Sequence, residues 1–363
     1  MGQLIFETVL NGVQFGVFLF LIAAGLTLVF GIMSMVNLAH GSLFMMGAYI
    51  GSYVFQQTDS FALAVVVAIP FSLVLGIVLE YLALRTLYAR DHLDQVLATF
   101  GFILFFNQLV LRVFGATSQE FRLPDAINFP MQISYREIAL AVIVAILIGL
   151  AMWVVARARM SSQRRAVYVA AIAVSIFFIV RFQGYLPTDT SFSFSYPSYR
   201  LIVIAVGLLV ALGLYLVIAK TRMGMLIRAG ASNRPMVGAL GVNIRLLFTI
   251  IFGIGAALAG LAGVMIGPIE SVESGMGESK LILAFVVIVI GGIGSIRGAF
   301  IASIIVGLVE VIGRVFMKDM LRTFLPEEFA QTAGPALASM SIYILMAAVL
   351  YFRPQGLFPA RTG

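Results

Sequence analysis

Cysteine is absent from this sequence of 363 residues, and histidine occurs only twice. The lack of cysteine excludes disulfide bonds, thiolate catalysis and metal sites built on cysteine. Two histidines without a cluster of carboxylates offer no catalytic constellation. We therefore expect no enzyme active site, no cofactor and no metal in this chain.

Charged residues are also scarce. Lys, Arg, Asp and Glu make up 11% of the sequence, whereas an ordinary soluble domain has about 25%. Hydrophobic residues make up 61%, and the mean hydropathy is +1.08. Because a helix needs about 20 apolar residues to cross a bilayer, this composition predicts a polytopic membrane protein.

Apolar runs of membrane-spanning length recur along the whole chain. No basic residue precedes the first run, in MGQLIFETVL, so we expect no cleaved signal peptide. The predicted fold is all-α, a polytopic transmembrane helical bundle of about ten to eleven spans with broken Gly-rich helices. It forms a single transmembrane domain over residues 1–363. The apolar segments are 8–33, 38–56, 61–84, 94–114, 137–156, 166–183, 199–219, 247–268, 280–293, 299–316 and 335–352.

Basic residues concentrate in alternate connections, at 85–90, 157–165, 220–245 and in the tail 353–361. Basic connections stay in the cytoplasm. We therefore interpret the net charge of +7 as a sign of membrane orientation and not of a nucleic-acid partner. The connections between them carry acidic residues. The alternation predicts a periplasmic N-terminus and a cytoplasmic C-terminus.

The longest predicted cytoplasmic connection, residues 220–246, contains a helix of about two turns. Ser232 or Asn233 can cap its start, Pro235 fits its first turn, and Gly241 can end it. An apolar edge follows the helical spacing: Met236, Val237 and Leu240. Two interpretations are open, a solvated loop on lipid headgroups or a helix that docks into a cytosolic partner.

Several stretches resemble one family. RMGMLIRAGASNRPMVGALGVN, followed by FGIGAALAGLAGVMIGPI, is similar to the cytoplasmic loop and next helix of permease subunits in bacterial ABC importers for branched-chain amino acids. GLTLVFGIMSMVNLAHGSLFMMGAY, VIGGIGSIRGAFIAS and LYFRPQGLF resemble other parts of the same family. The NLAHG and FRPQGL forms resemble the H-type of the two permeases that such importers pair.

The resemblance implies a set of partners and a coupling role. In these importers the matching loop is the coupling helix, which seats in an ATP-binding subunit; here it corresponds to Ser232, Asn233, Arg234, Pro235, Gly238 and Gly241. The implied partners are a second permease subunit in a heterodimer, two cytosolic ATP-binding subunits, a periplasmic solute-binding protein and an amino-acid substrate. The implied location is the bacterial inner membrane, and nucleic acid is not an expected partner.

The chain has no nucleotide-binding loop of its own. The Walker A pattern is GxxxxGK[ST], and the nearest stretch, GLYLVIAKT, has Ala219 in place of the second glycine. We therefore expect ATP hydrolysis on partner subunits and no covalent chemistry in this chain.

Two glycine-rich breaks, MVNLAHGS and GGIGSIRGA, interrupt apolar runs, and we expect both at the cytoplasmic interface. Backbone groups freed by a broken helix must face protein or a water-filled path, because lipid cannot satisfy them. The breaks therefore indicate either close helix packing or a translocation path. The residues assigned to the path are Asn37, His40, Gly41, Ser42, Gly292, Gly294 and Ser295.

The identity of the solute stays open. The resemblance covers roughly 1–115 and 200–358, and residues 151–198 are predicted as an extra helix and loop relative to the family. Related permeases for urea, amides or aromatic acids are alternatives. A self-sufficient secondary transporter would need a coupling carboxylate at mid-membrane. Glu310 is the candidate for it, but Arg314 lies four residues away on the same predicted helix and indicates a structural ion pair.

Overall fold

The computed structural model describes residues 2–33, 35–88, 90–124, 127–134, 193–324 and 326–358. These residues form eleven α-helices, a short 3-10 helix at Leu84–Leu87, and two strands, β1 (Pro130–Ser134) and β2 (Ser193–Pro197). The helices are α1 (Gly2–Met33), α2 (His40–Thr58), α3 (Phe61–Leu82), α4 (His92–Phe114), α5 (Ser198–Lys220), α6 (Arg222–Ser232), α7 (Arg234–Ala239), α8 (Ile244–Ile266), α9 (Met276–Gly291), α10 (Ile296–Arg322) and α11 (Glu327–Phe352).

The all-α prediction is confirmed. Each predicted apolar segment within the described residues coincides with one helix, whereas the segments 137–156 and 166–183 lie outside the described residues. Within the described part of the chain, seven helices are long and apolar enough to cross a membrane. The other four described helices are α2 with 19 residues, α9 with 16, α6 with 11 and α7 with 6.

The chain divides into two compact units. The smaller comprises Met1–Gln3 with Phe129–Ser198, and the larger comprises Leu4–Asn128 with Tyr199–Gly363. In the smaller unit β1 pairs antiparallel with β2, from Pro130 opposite Pro197 to Ser134 opposite Ser193. Most of the predicted extra segment, residues 151–192, lies outside the described residues. Its end forms β2 and the first residue of α5.

Helices α1 and α8 form the centre of the larger unit. In the most apolar stretch of α1, 83% of the residues are buried inside the protein. In the corresponding stretch of α11 the share is 11%. Because α1 is apolar on every face, it is best accommodated where other helices surround it. Phe18, Phe20 and Ile22 of α1 and Phe252 and Ala256 of α8 belong to one continuous core.

Backbones touch where these helices cross. A Cβ built on Gly47 of α2 would lie 2.4 Å from the Cα of Gly260 in α8, and one built on Gly25 of α1 would lie 2.6 Å from the carbonyl oxygen of Gly255. Contacts this short are open only to glycine, and small residues are what let membrane helices approach closely. The spacing of glycine and alanine in α8 is thus explained by packing.

The connections predicted on the outer side meet at one end of the larger unit. The backbone N–H of Gln119, after α4, donates to the carbonyl of Val272, after α8, at 2.8 Å. Gln56, near the end of α2, donates to the side chain of Gln119 at 3.2 Å. Three connections assigned to one side from charge therefore lie together.

The connections predicted on the inner side are likewise joined to one another. The side chain of Arg85, after α3, donates to Thr249 in the first turns of α8 at 2.9 Å. The N–H of Leu357, in the tail, donates to the carbonyl of Ile290 at the end of α9 at 2.8 Å. The predicted alternation of spans is therefore compatible with the fold.

We expect Gly260→Ala to lower the free energy of unfolding by about 1–3 kcal/mol, the usual cost of overpacking. The new Cβ would lie 2.4 Å from the Cβ of Ser72, which cannot move away by rotating its side chain. Thermal unfolding of the purified protein in detergent measures the effect. Gly101→Ala is the matched control because nothing lies within 4 Å of its Cβ. Equal unfolding temperatures for the two variants would contradict the packing argument.

Candidate functional site

The chain re-enters the bundle after α1. Helix α2 begins at His40 against the middle of α1, where the Nε2 of His40 lies 3.2 Å from the carbonyl oxygen of Ile22. Ile22 precedes the last residue of α1, Met33, by 11 residues, about 16 Å at 1.5 Å per residue. Residues 35–39, which we call the re-entrant segment, therefore run back along α1. The start of α2 therefore lies beside α1 well before that helix ends, and the expectation that this turn lies at the cytoplasmic interface stays a prediction.

Two polar side chains are enclosed at this junction. The Oδ1 of Asn37 accepts a hydrogen bond from the N–H of Ala39 at 3.0 Å, which shapes the turn into α2. Asn37 and His40 are fully buried, and neither the Nδ2 of Asn37 nor the Nδ1 of His40 has a partner among the described residues. A buried polar group without a partner costs about 1–3 kcal/mol, so such groups in a native protein require an explanation beyond packing.

The first turn of α2 abuts the first turn of α9. A Cβ built on Gly41 would lie 2.5 Å from the carbonyl oxygen of Gly277. Beside this contact, Ser42 lines a narrow cleft with Asn107 of α4 and Glu278 of α9, and the cleft has no room for a water molecule in this conformation. Asn37, His40, Gly41 and Ser42, assigned to one site from the sequence, are therefore adjacent.

The second group of path residues lies elsewhere. Gly294 packs against Gly31, nine residues beyond Ile22 along α1, or about 13 Å. Gly292 and Gly294 adopt positive φ angles of 103° and 78°, which favour glycine. Ser295 caps α10 by accepting from the N–H of Gly298 at 3.1 Å. The structure therefore separates this group from the junction near Ile22.

The C-terminal tail gives Gly292 a packing role as well. A Cβ on Gly292 would lie 2.9 Å from the carbonyl oxygen of Phe358, and the N–H of Phe358 donates to the carbonyl of Gly291 at 3.0 Å. The tail thereby satisfies carbonyl groups that the end of α9 leaves free. Backbone conformation and helix capping are sufficient to explain why Gly292, Gly294 and Ser295 occupy these positions.

The predicted short helix in the 220–246 connection is present as α7. Its cap is Asn233, whose Oδ1 accepts from the N–H of Met236 at 3.0 Å, and Pro235 lies in its first turn. Ser232 is instead the last residue of the preceding helix, α6. Gly241 follows α7 with a φ of 86°, and Gly238 lies within the helix, so this connection folds as two consecutive capped helices.

One face of α7 is apolar and exposed. Met236 of α7 is exposed, and Leu240, the residue that follows the helix and lies one turn beyond Met236, is 76% exposed. Val237 was predicted to lie on the same apolar edge as Met236 and Leu240. It is buried instead, and its carbonyl accepts from the N–H of Val242. Val237 thus holds α7 to its own chain, and Met236 and Leu240 face outward.

A carboxylate network at the inner end joins α3 to α8. The side chain of Glu80 is fully buried and accepts from Thr249 at 2.7 Å, from Tyr88 at 2.6 Å and from Arg85 at 3.4 Å. Burial, with the hydrogen bond and charge of Glu80, raises the pKa of the Tyr88 phenol, which therefore stays a donor. Glu80 therefore joins α3 to α8 through hydrogen bonds.

Sequence reasoning missed the side chains that face Ser42. In the fold, Asn107 Nδ2 donates to Glu278 Oε1 at 2.6 Å, and both side chains line the cleft beside Ser42. The sequence shows an amide, Asn107, within an apolar helix and an acidic residue, Glu278, in the first turn of another. Neither feature indicates which residue the side chain contacts in the fold.

Residues 8–350 match the family model described as branched-chain amino acid transport system / permease component. The chain is 27% identical over 361 residues to the high-affinity branched-chain amino acid transport system permease protein BraD of Pseudomonas aeruginosa, covering 97% of this chain and 94% of that protein. It is 27% identical over 322 residues to LivH of Escherichia coli, with 86% and 87% covered. It is 24% identical over 344 residues to a probable LivH of Methanocaldococcus jannaschii, with 93% and 88% covered. No solved structure matches the chain.

We expect Glu80→Ala to lower the free energy of unfolding by about 3–5 kcal/mol, because it leaves Arg85, Thr249 and Tyr88 without their common acceptor. Thermal or denaturant unfolding in detergent provides the measurement. Glu120→Ala is the control, since Glu120 forms an ion pair with Arg122 that is exposed on both sides. Exposed pairs contribute about 0–1 kcal/mol. A similar loss of stability in both variants would show that the Glu80 network is not a structural anchor.

Proposed function

The chain belongs to the family of branched-chain amino acid transport system permease components, and on this premise we propose that it is the H-type permease of an ABC importer. In this proposal it translocates branched-chain or related amino acids across the bacterial inner membrane. A periplasmic binding protein delivers the solute, a second permease completes the pathway, and two cytosolic ATP-binding subunits drive the cycle. The chain is itself a transport subunit and not an enzyme.

The observation that carries the coupling role is α7. A two-turn helix is marginal alone, yet this one is capped by Asn233 and held by Val237 while Met236 and Leu240 stay exposed. An exposed apolar pair on a braced helix suits insertion into a groove of a partner. The headgroup alternative would not require a rigid helix. A Cβ built on Gly238 would lie 3.8 Å from the side chain of Ile244, an ordinary contact distance, so α7 lies beside the start of α8.

The orientation follows from charge. With basic connections in the cytoplasm, α7 faces the ATP-binding subunits, and the N-terminus is periplasmic while the C-terminus is cytoplasmic. The joined connections after α2, α4 and α8 then form part of the periplasmic surface, where a binding protein would dock. The grouping of these connections at one end supports this orientation.

The junction at the start of α2 supports the translocation path. Asn37 and Ser42 offer polar groups at mid-depth, where non-helical backbone is tolerated only against protein or water. A path for a zwitterion needs weak polar contacts that do not trap the solute. The alternative class, a secondary transporter, would rely on a mid-membrane carboxylate; Glu310 is occupied by Arg314 at 2.5 Å.

The experiment that tests the function is uptake by the complete complex in liposomes. The permease pair, the ATP-binding subunits and the binding protein should accumulate a branched-chain amino acid only with internal ATP. Preference for urea, an amide or an aromatic acid would reassign the solute within the family. Accumulation without ATP would instead support a secondary transporter.

Leu240→Asp should abolish the stimulation of ATP turnover by the loaded binding protein and lower uptake by more than about 30-fold. Loss of one buried leucine costs about 2 kcal/mol, and each 1.4 kcal/mol is a factor of ten. Because Leu240 is exposed in the isolated chain, the fold should be unaffected. Leu240→Met keeps an apolar side chain of similar volume and should retain at least half of the activity. Normal uptake by Leu240→Asp would exclude the docking helix.

Asn37→Leu should lower uptake by about tenfold or more without weakening the docking of the binding protein. The docking surface lies on the periplasmic face, whereas Asn37 is buried at mid-depth. Asn37→Ser is the matched variant, since its hydroxyl can still accept from Ala39 N–H and shape the turn. Partial recovery of uptake in Asn37→Ser would distinguish the contribution of the turn from that of the amide group. Unchanged uptake in Asn37→Leu would return this residue to a packing role.

A further inference from the structure

The cleft beside Ser42 has polar groups on one side and apolar walls on the other. Its polar members are Ser42, Asn107 and Glu278, and its apolar walls include Leu38, Met45 and Ile103. Asn107 lies seven residues before the end of α4, about 10 Å along the helix. This member of the cleft therefore lies well before the end of α4.

Glu278 has no counter-ion among the described residues. Two other carboxylates on the membrane helices have one: Glu80 lies 3.4 Å from Arg85, and Glu310 lies 2.5 Å from Arg314. Among the residues that the structure describes, no lysine or arginine lies within 4.0 Å of Glu278. A carboxylate within a membrane protein is costly unless it is paired, and such residues mark functional sites by default. Asn107 supplies a hydrogen bond to it but no charge.

The neighbours of Glu278 add acceptors. Because Asn107 donates through Nδ2, its Oδ1 remains available as an acceptor. Ser42 is 3% exposed, and its hydroxyl oxygen can accept a hydrogen bond. Glu278, Asn107 and Ser42 thus offer three oxygen acceptors around one cleft. A primary ammonium group carries three N–H donors and one positive charge, so it complements this set.

We propose that Glu278, Asn107 and Ser42 form the subsite that binds the ammonium group of an aliphatic amino acid during translocation. This inference rests on the proposed function and assigns the cargo contact to named side chains. The apolar walls receive the aliphatic side chain of the cargo. Urea or a simple carboxylic acid would leave the charge of Glu278 unbalanced. The subsite opens when the first turns of α2 and α9 part at Gly41 and Gly277, whose contact has no side chains to interlock.

The first test is uptake by the complete complex with Glu278→Gln. Glutamine keeps an oxygen that accepts from Asn107 but removes the charge, so uptake should fall by about tenfold or more. Glu273→Gln is the matched control, because Glu273 is an exposed acidic residue five positions earlier. It should stay within about twofold of the unaltered complex.

The outcomes separate this subsite from the proposed function. Uptake by Glu278→Gln within twofold of the unaltered complex would overturn the subsite and leave the importer role standing. Failure of the unaltered complex to take up any amino acid would overturn the proposed function, and the subsite with it.

A second test does not depend on Glu278→Gln folding. The chain contains no cysteine, so Ser42→Cys introduces a single thiol for labelling in a complex with cysteine-free partners. During turnover, an aminoethyl methanethiosulfonate should react about tenfold faster than the sulfonatoethyl reagent, because Glu278 attracts its ammonium group. An amino-acid substrate in excess should slow the labelling. Equal rates for the two reagents, or labelling unaffected by substrate, would overturn the proposal.

Discussion

Backbone polar groups within a bilayer must find partners in the protein, and this constraint governs the arrangement around the re-entrant segment. Residues 35–39 carry non-helical backbone back alongside α1, where lipid could not satisfy it. The surrounding helices keep it covered: Asn37, Ala39 and His40 are fully buried. The central position of α1 and α8 follows, because they form the walls against which this segment and the first turn of α2 lie.

Glycine makes that enclosure possible. Contacts such as Gly47 with Gly260 and Gly41 with Gly277 bring backbones together without interlocking side chains. Surfaces of this kind pack tightly and can also separate without side chains having to pass one another. The Glu80 network, in contrast, fixes α3 to α8 through charge-assisted hydrogen bonds. In the proposed importer, the contacts that move would be glycine contacts, and the contacts that hold would be polar ones.

Helix α8 relates the proposed coupling surface to the proposed path. It begins next to α7, where Ile244 approaches Gly238, and it continues to Gly255 against Gly25 and to Gly260 against Gly47. A displacement of α7 by an ATP-binding subunit would therefore act on a rigid rod that touches both α1 and α2. This arrangement gives the coupling helix a direct mechanical route to the junction near Asn37 and Ser42.

The sequence by itself determined the class of protein, the helical spans within the described residues, and the capped helix after residue 232. These depend on local properties: apolar runs as long as the bilayer is thick, and caps set by side chains two or three residues away. The tertiary structure alone decided the depth of His40, the separation of Gly292–Ser295 from that junction, and the meeting of Glu278 with Asn107 and Ser42. These depend on how far a non-helical segment re-enters and on contacts between residues far apart in the sequence, such as Asn107 and Glu278, which are 171 positions apart. A hydrophobic pattern records which residues avoid water, but it does not record which neighbour covers them.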